Sequence, residues 1–107
     1  MRIIARRTLR EFVANRAGHK DQPVLKAATD AWFLEVSKAK WRSMADVKRR
    51  YATASVVTSE RIVFNIKGND YRLVVAADFE KTIVWIKWIG SHRNYDRINV
   101  KEVKHHE

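Results

Sequence analysis

Three apolar, β-branched runs dominate the second half of the chain: Ile62–Ile66, Tyr71–Ala77 and Ile83–Ile89. Each is bounded by turn-type residues, so each reads as a strand. Gly68-Asn69 lies between the first two and is a two-residue hairpin signal, because both residues tolerate positive φ. That turn sets Ile66 opposite Tyr71, Asn65 opposite Arg72 and Phe64 opposite Leu73. Side chains alternate across a strand. One face therefore collects Ile62, Phe64, Ile66, Tyr71, Leu73, Val75 and Ala77 and reads as core. The other collects Arg61, Val63, Asn65, Arg72, Val74 and Ala76. The third strand splits into Val84, Ile86 and Trp88 against Ile83, Trp85, Lys87 and Ile89. A core face excludes lysine. A loop at Glu80-Lys81 then pairs Val74 with Lys87 and Arg72 with Ile89, and gathers Arg61, Asn65, Arg72, Trp85 and Lys87 on the side away from the core.

Upstream, the apolar spacing changes to a helical period. Met1–Ala5 suits a short strand. Thr8 is placed to cap a helix over about 8–17, with Leu9, Phe12, Val13 and Ala17 at helical spacing and Gly18 at its C-terminal end. Asp21-Gln22-Pro23 opens a second helix, roughly 22–39, with proline in the first turn. Leu25, Ala28, Trp32 and Val36 form its main stripe, flanked by Val24, Ala27, Ala31 and Phe33. Ser43 suits the cap of a short helix over Asp46–Arg50, and Ala52–Thr58 suits an edge strand. Ser91 suits the cap of a helical turn that puts His92 and Tyr95, three residues apart, on one face. Residues 99–107 fit a last strand or a frayed end. The fold class is α+β: one domain over 1–107, with two N-terminal helices packed on one face of a central antiparallel sheet.

Charge changes what the uncovered sheet face is for. The 107 residues carry 22 Lys and Arg against 12 Asp and Glu, a net +10. A polyanion is the natural partner. Lys40, Arg42, Lys48, Arg49 and Arg50 lie in one basic stretch and suit RNA phosphates. Lys67 and Asn65 near the hairpin, and Trp85 as a base-stacking ring, extend that set. There is no cysteine, hence no disulfide frame or thiolate metal site. The spacing of His19, His92, His105 and His106 matches no metal motif, so no cofactor is expected. The opening Met1–Arg7 is too short and too charged for a signal peptide, and no run is long enough for a membrane helix. These features suit a cytoplasmic protein with no membrane partner.

The residue types at the sheet end suit RNA cleavage. A 2′-hydroxyl that attacks its own phosphate must lose a proton, the 5′-oxygen must gain one, and the phosphorane needs positive charge. Arg61 and Arg72 hold charge at neutral pH, while Lys87, His92 and Tyr95 can exchange protons.

Three segments together carry a resemblance. They are Trp41-Arg42-Ser43-Met44-Ala45-Asp46-Val47-Lys48, Arg61-Ile-Val-Phe-Asn-Ile-Lys-Gly-Asn-Asp-Tyr-Arg-Leu73 and Ile89-Gly-Ser-His-Arg-Asn-Tyr-Asp96. They resemble the HigB toxins of type II toxin–antitoxin systems, with Val63-Phe-Asn-Ile-x-Gly-Asn-x-Tyr-Arg-Leu73 the most specific phrase. The resemblance implies a RelE-like fold and a metal-independent, ribosome-associated mRNA endoribonuclease held inactive by a HigA-type helix-turn-helix antitoxin. It carries His92, Tyr95 and Asp96 over to the family's Thr-His-Ala-Glu-Tyr-Asp; Asn94 stands where that motif has glutamate. Two other readings fit the same residues: a module that binds RNA or protein without catalysis, and a gyrase-directed toxin like the ParE branch of the superfamily.

Overall fold

The computed structural model describes residues 1–103. Its elements are β1 (Arg2–Ile4), α1 (Arg6–Ala14), α2 (Gln22–Lys38), α3 (Met44–Arg50), β2 (Ser55–Val56), β3 (Arg61–Ile66), β4 (Tyr71–Asp78), β5 (Ile83–Ser91) and α4 (His92–Tyr95). The five strands form one sheet in the order β1-β5-β4-β3-β2. The sheet is mixed rather than purely antiparallel, because β1 runs parallel to β5 while every other pair is antiparallel. The long chain excursion from β1 through the helices makes that parallel return possible.

The β3–β4 hairpin has the register expected from its sequence: Ile66 pairs with Tyr71, Asn65 with Arg72 and Phe64 with Leu73. Its loop differs in detail. Lys67 and Gly68, not Gly68 and Asn69, take positive φ, and the Asp70 N–H donates to the Lys67 carbonyl at 3.2 Å.

The β4–β5 pair follows the expected register only as far as Val75↔Ile86. A bulge then makes Lys87 an extra residue, and Val74 meets Trp88, Leu73 meets Ile89 and Arg72 meets Gly90. The expected Val74–Lys87 and Arg72–Ile89 pairs are therefore one residue out. The consequence is an exchange of faces. Ile89 enters the core, fully buried against Leu73, and half-buried Trp88 moves to the far side.

The core joins Leu9 and Val13 of α1, Leu25, Trp32 and Val36 of α2, and Val47 of α3 to the inward strand positions. Trp32 meets Phe64 edge-on at 5.5 Å, and Phe12 meets Tyr71 at 5.7 Å. Trp41 stacks on Phe64 at 6.2 Å. Such aromatic pairs add about 0.5–1.5 kcal/mol each beyond the area they bury.

Helix α1 starts at Arg6, two residues before Thr8, which is buried instead of capping. Ala5 stands at the cap position in the left-handed region with no side-chain cap. Helix α2 opens with Pro23 in its first turn. Ser43 caps α3, its hydroxyl accepting from the Asp46 N–H at 3.4 Å. Residues 99–103 form turns, not a strand. His105 and His106 lie outside the described residues.

Candidate nucleic-acid interface

The sheet face away from the main core carries Arg61, Val63 and Asn65 of β3, Arg72, Val74 and Ala76 of β4, and Trp85 and Trp88 of β5. It is not uniformly open. Val63 and Val74 are buried yet stand outside the main core cluster. They sit side by side, with Trp88 next across from Val74.

At one end of this face the side chains of Arg72, Tyr95, Trp88 and Asn69 come together, and His92 follows on the adjoining turn. The Arg72 guanidinium lies 5.8 Å from the centre of the Tyr95 ring. That ring is 6.3 Å from Trp88. Arg72 also donates to the Asn69 side-chain oxygen at 3.2 Å, so its orientation is fixed from two sides. The His92 N–H donates to the Asp70 carbonyl at 3.0 Å, which ties His92 to the start of β4. Ser91 caps α4 by accepting from the Asn94 N–H at 3.2 Å. The turn thereby holds His92 and Tyr95 on the same short helix. The His92 ring is exposed, with Nδ1 4.0 Å from the Asp96 carboxylate.

Trp88 was expected in the core, and its place beside Tyr95 depends on Gly90. A Cβ at Gly90 would overlap the Trp88 indole. The side chain lies back over the glycine, which itself faces Arg72. Only the combination of an extra residue at Lys87 and a glycine three positions later would have signalled this.

A second group lies further along the same face. Arg61 pairs with Ala76, and Ala76 with Trp85. Lys87 reaches the Trp85 ring, with Nζ 5.9 Å from its centre. Arg61 and Arg72 are thus separated by four residues along β4, roughly 13 Å at strand rise. The structure does not bring both onto one phosphate. The Arg61 Nη1 donates to the carbonyls of Val103 at 2.9 Å and Val100 at 3.4 Å. The remaining donors of that guanidinium are the ones that can face a ligand.

Much of the basic stretch is bound up in the fold. Lys48 donates to the Ala52 and Ala54 carbonyls at 2.8 and 2.6 Å. Arg49 pairs with Asp46 at 3.0 Å, and Arg50 pairs with Glu35. Asp46 is held below the usual carboxylate range, first by the Arg42 backbone N–H and then by the Arg49 charge. The side chains of Lys40 and Arg42 are exposed. Lys67 pairs with Asp70 at 2.7 Å, a hydrogen bond that raises its pKa. Asn65 donates to the Thr53 carbonyl at 3.4 Å. Among the described residues no three His, Asp or Glu side chains converge as a metal site, and no helix is long and apolar enough to cross a membrane.

Arginine over a phenol, an exposed imidazole on the residue that follows β5, and indoles along a positively charged sheet face form a surface suited to a phosphodiester flanked by bases. No curated protein matches the chain at a significant level. A family model does match, over residues 25–98, and spans β2 to β5, α3, α4 and most of α2. The chain belongs to the HigB toxin family, the RelE-like toxic components of toxin–antitoxin systems.

Proposed function

We propose that this toxin is an mRNA endoribonuclease that acts on ribosome-bound message and needs no metal for the chemical step. The observation that carries this reading is the Arg72 guanidinium over the ring of Tyr95, on the short helix that also carries His92. Family membership supports it.

In this reading Arg72 holds the scissile phosphate and takes up the charge that grows on its oxygens. The 2′-hydroxyl gives up its proton as its oxygen bonds to phosphorus. The P–O5′ bond breaks, and the 5′-oxygen takes a proton. The products are a 2′,3′-cyclic phosphate and a 5′-hydroxyl. His92 is the group at this end of the face able to move those protons, while Lys87, which reaches the Trp85 ring, stands with Arg61 at the neighbouring phosphate. Tyr95 orients Arg72. Arg61 engages a neighbouring phosphate along the strand. Trp85 and Trp88 stack bases on either side. Lys40 and Arg42 lead the contacts to ribosomal RNA, with Lys48, Arg49, Arg50, Asn65 and Lys67 adding to the field. A HigA-type helix-turn-helix antitoxin is the proposed partner that silences the toxin, over a RelE-like packing of helices on the sheet.

A purified translation system with a defined mRNA tests this. Fragments ending in cyclic or 3′-phosphate, formed with no metal beyond what the ribosomes require, are the expected result. Message that stays whole while translation stops would overturn it, and DNA damage on expression with intact mRNA would point to gyrase instead.

A further inference from the structure

The chain leaves α4 at Tyr95 and by Val103 has reached Arg61 of β3. Residues 96–103 are held in turns by their own backbone. The Arg97 N–H donates to the Asn94 carbonyl at 3.0 Å, that of Ile98 to Tyr95 at 3.2 Å, and those of Glu102 and Val103 to Asn99 at 3.1 and 2.9 Å. Ile98, Val100 and Val103 are half-buried, while Asp96, Arg97, Asn99, Lys101 and Glu102 are exposed. The segment thus has an apolar side turned inward. It starts beside Tyr95, whose ring meets Arg72, and finishes at Val103, whose carbonyl accepts from Arg61 Nη1 at 2.9 Å. The Val100 carbonyl shares that donor at 3.4 Å. Arg72 and Arg61 stand towards opposite ends of the sheet face, roughly 13 Å apart along it. Between them lie Val63 and Val74, both buried although neither belongs to the main core. Side chains on an uncovered sheet face would meet water instead.

The geometry points to an autoinhibitory strap: residues 96–103 lie across this face, cover Val63 and Val74 together with Trp88, and give the Arg61 guanidinium backbone carbonyls where phosphate oxygens would bind. The inference rests on the proposed RNA face and adds how that face is shut in the free toxin. RNA running from Arg72 to Arg61 needs the same strip of sheet, so strap and RNA exclude each other. Such a latch yields to RNA. A carbonyl is a neutral acceptor, whereas a phosphate oxygen forms charge-assisted bonds about twice as strong. The apolar hold is shallow, since Ile98, Val100 and Val103 are each only half-buried. The strap's charges cancel, Arg97 and Lys101 against Asp96 and Glu102, so it brings no surplus of anions to a basic surface. The latching residues Val100 and Val103 lie beyond the stretch 25–98 that matches the family model. A closed strap lowers the apparent affinity for RNA by the fraction of molecules in which it is open.

The test uses the full chain and a single-stranded 2′-O-methyl oligoribonucleotide, whose blocked 2′-oxygen cannot attack its phosphate. Val100→Ser combined with Val103→Ser loosens the strap and leaves Arg61, Arg72 and His92 in place. In an anisotropy titration this double variant should bind the oligonucleotide about tenfold more tightly than wild type. The chain has no cysteine, so a spin label on Glu102→Cys reports on the strap alone in an otherwise unaltered toxin. Saturating oligonucleotide should sharpen its spectrum as the strap lifts. Equal or weaker binding by the double variant overturns the inference, and so does a label whose motion RNA leaves unchanged or slows. Absence of binding by both proteins overturns it too. Neither readout depends on cleavage: a strap that lifts in a toxin that leaves message whole would sink the nuclease reading alone.

Discussion

Tyr95 touches Arg72 through its ring rather than through its hydroxyl. In the proposed mechanism that geometry makes it an orienting residue, and the two substitutions that separate ring from hydroxyl should behave differently. Tyr95→Ala is expected to lower mRNA cleavage by about 100-fold, since misplacing a catalytic cation by an ångström costs that much. Tyr95→Phe, which keeps the cation–π face, should lose less than about tenfold. Single-turnover rates in the translation system give both values. A second tyrosine serves stability. The Tyr71 hydroxyl donates to Asp21, and Arg16 lies 5.2 Å from the Tyr71 ring centre. Burial first, and that hydrogen bond second, push the Tyr71 pKa up to about 12 from 10.0. A raised acid pKa stabilises the fold below the unfolded value and withdraws that support above it. Denaturant midpoints should therefore fall between pH 10 and 12, and the fall should shrink in Tyr71→Phe. The Asp21 carboxyl is shifted the other way, held low first by the Tyr71 hydroxyl. Its contribution is present above the ordinary carboxylate range and is lost as pH falls through the depressed value. Asp21→Asn should lower the unfolding temperature at pH 7, and the difference should close in acid.

Among the elements, β5 decides the character of the site. The run Ile83-Val84-Trp85-Ile86-Lys87-Trp88-Ile89 is apolar at six of seven positions, so alternation alone cannot say which parity faces inward. The lysine was the only marker, and it marks the bulge itself. The near-turn half of the register was legible because Asp78, Glu80 and Lys81 fix the turn. The far half was not, because a single extra residue leaves no compositional trace. The β3–β4 hairpin was fully legible in pairing, since clean alternation on both strands admits one register. The start of α1 was hidden because Ala5 offers no capping side chain. Gly90→Ala tests the bulge. The added methyl meets the Trp88 indole and should destabilise by about 2 kcal/mol. Most of that cost should vanish in a Trp88→Ala background, a coupling that a double-mutant cycle by chemical denaturation resolves. An additive result would mean that Trp88 does not lie over the glycine.

On the scale of the molecule, charge was legible as a total and illegible as a distribution. Net +10 is the reason a polyanionic partner was expected. The sequence could not show that Arg49 and Arg50 pair with Asp46 and Glu35, or that Arg61 reaches two carbonyls near residue 100. Those contacts join residues whose meeting depends on the finished fold. Under the proposed function, salt titration separates cations that would meet RNA from those that serve the fold. Arg72→Ala should reduce the slope of log affinity for ribosomes against log salt by about one. Arg49→Ala should reduce it by less than about half of that. Equal slopes for the two would remove the distinction drawn here between the sheet face and the connector.

The sheet ends in β1 and β2, strands of three and two residues. Borders so brief leave Ile86–Ser91 of β5 and Phe64–Ile66 of β3 with no strand paired on their outer side among the described residues. What opposes pairing between copies through those stretches is charge, since each copy brings a net +10. Added salt, which screens that repulsion, should therefore favour sheet-to-sheet association.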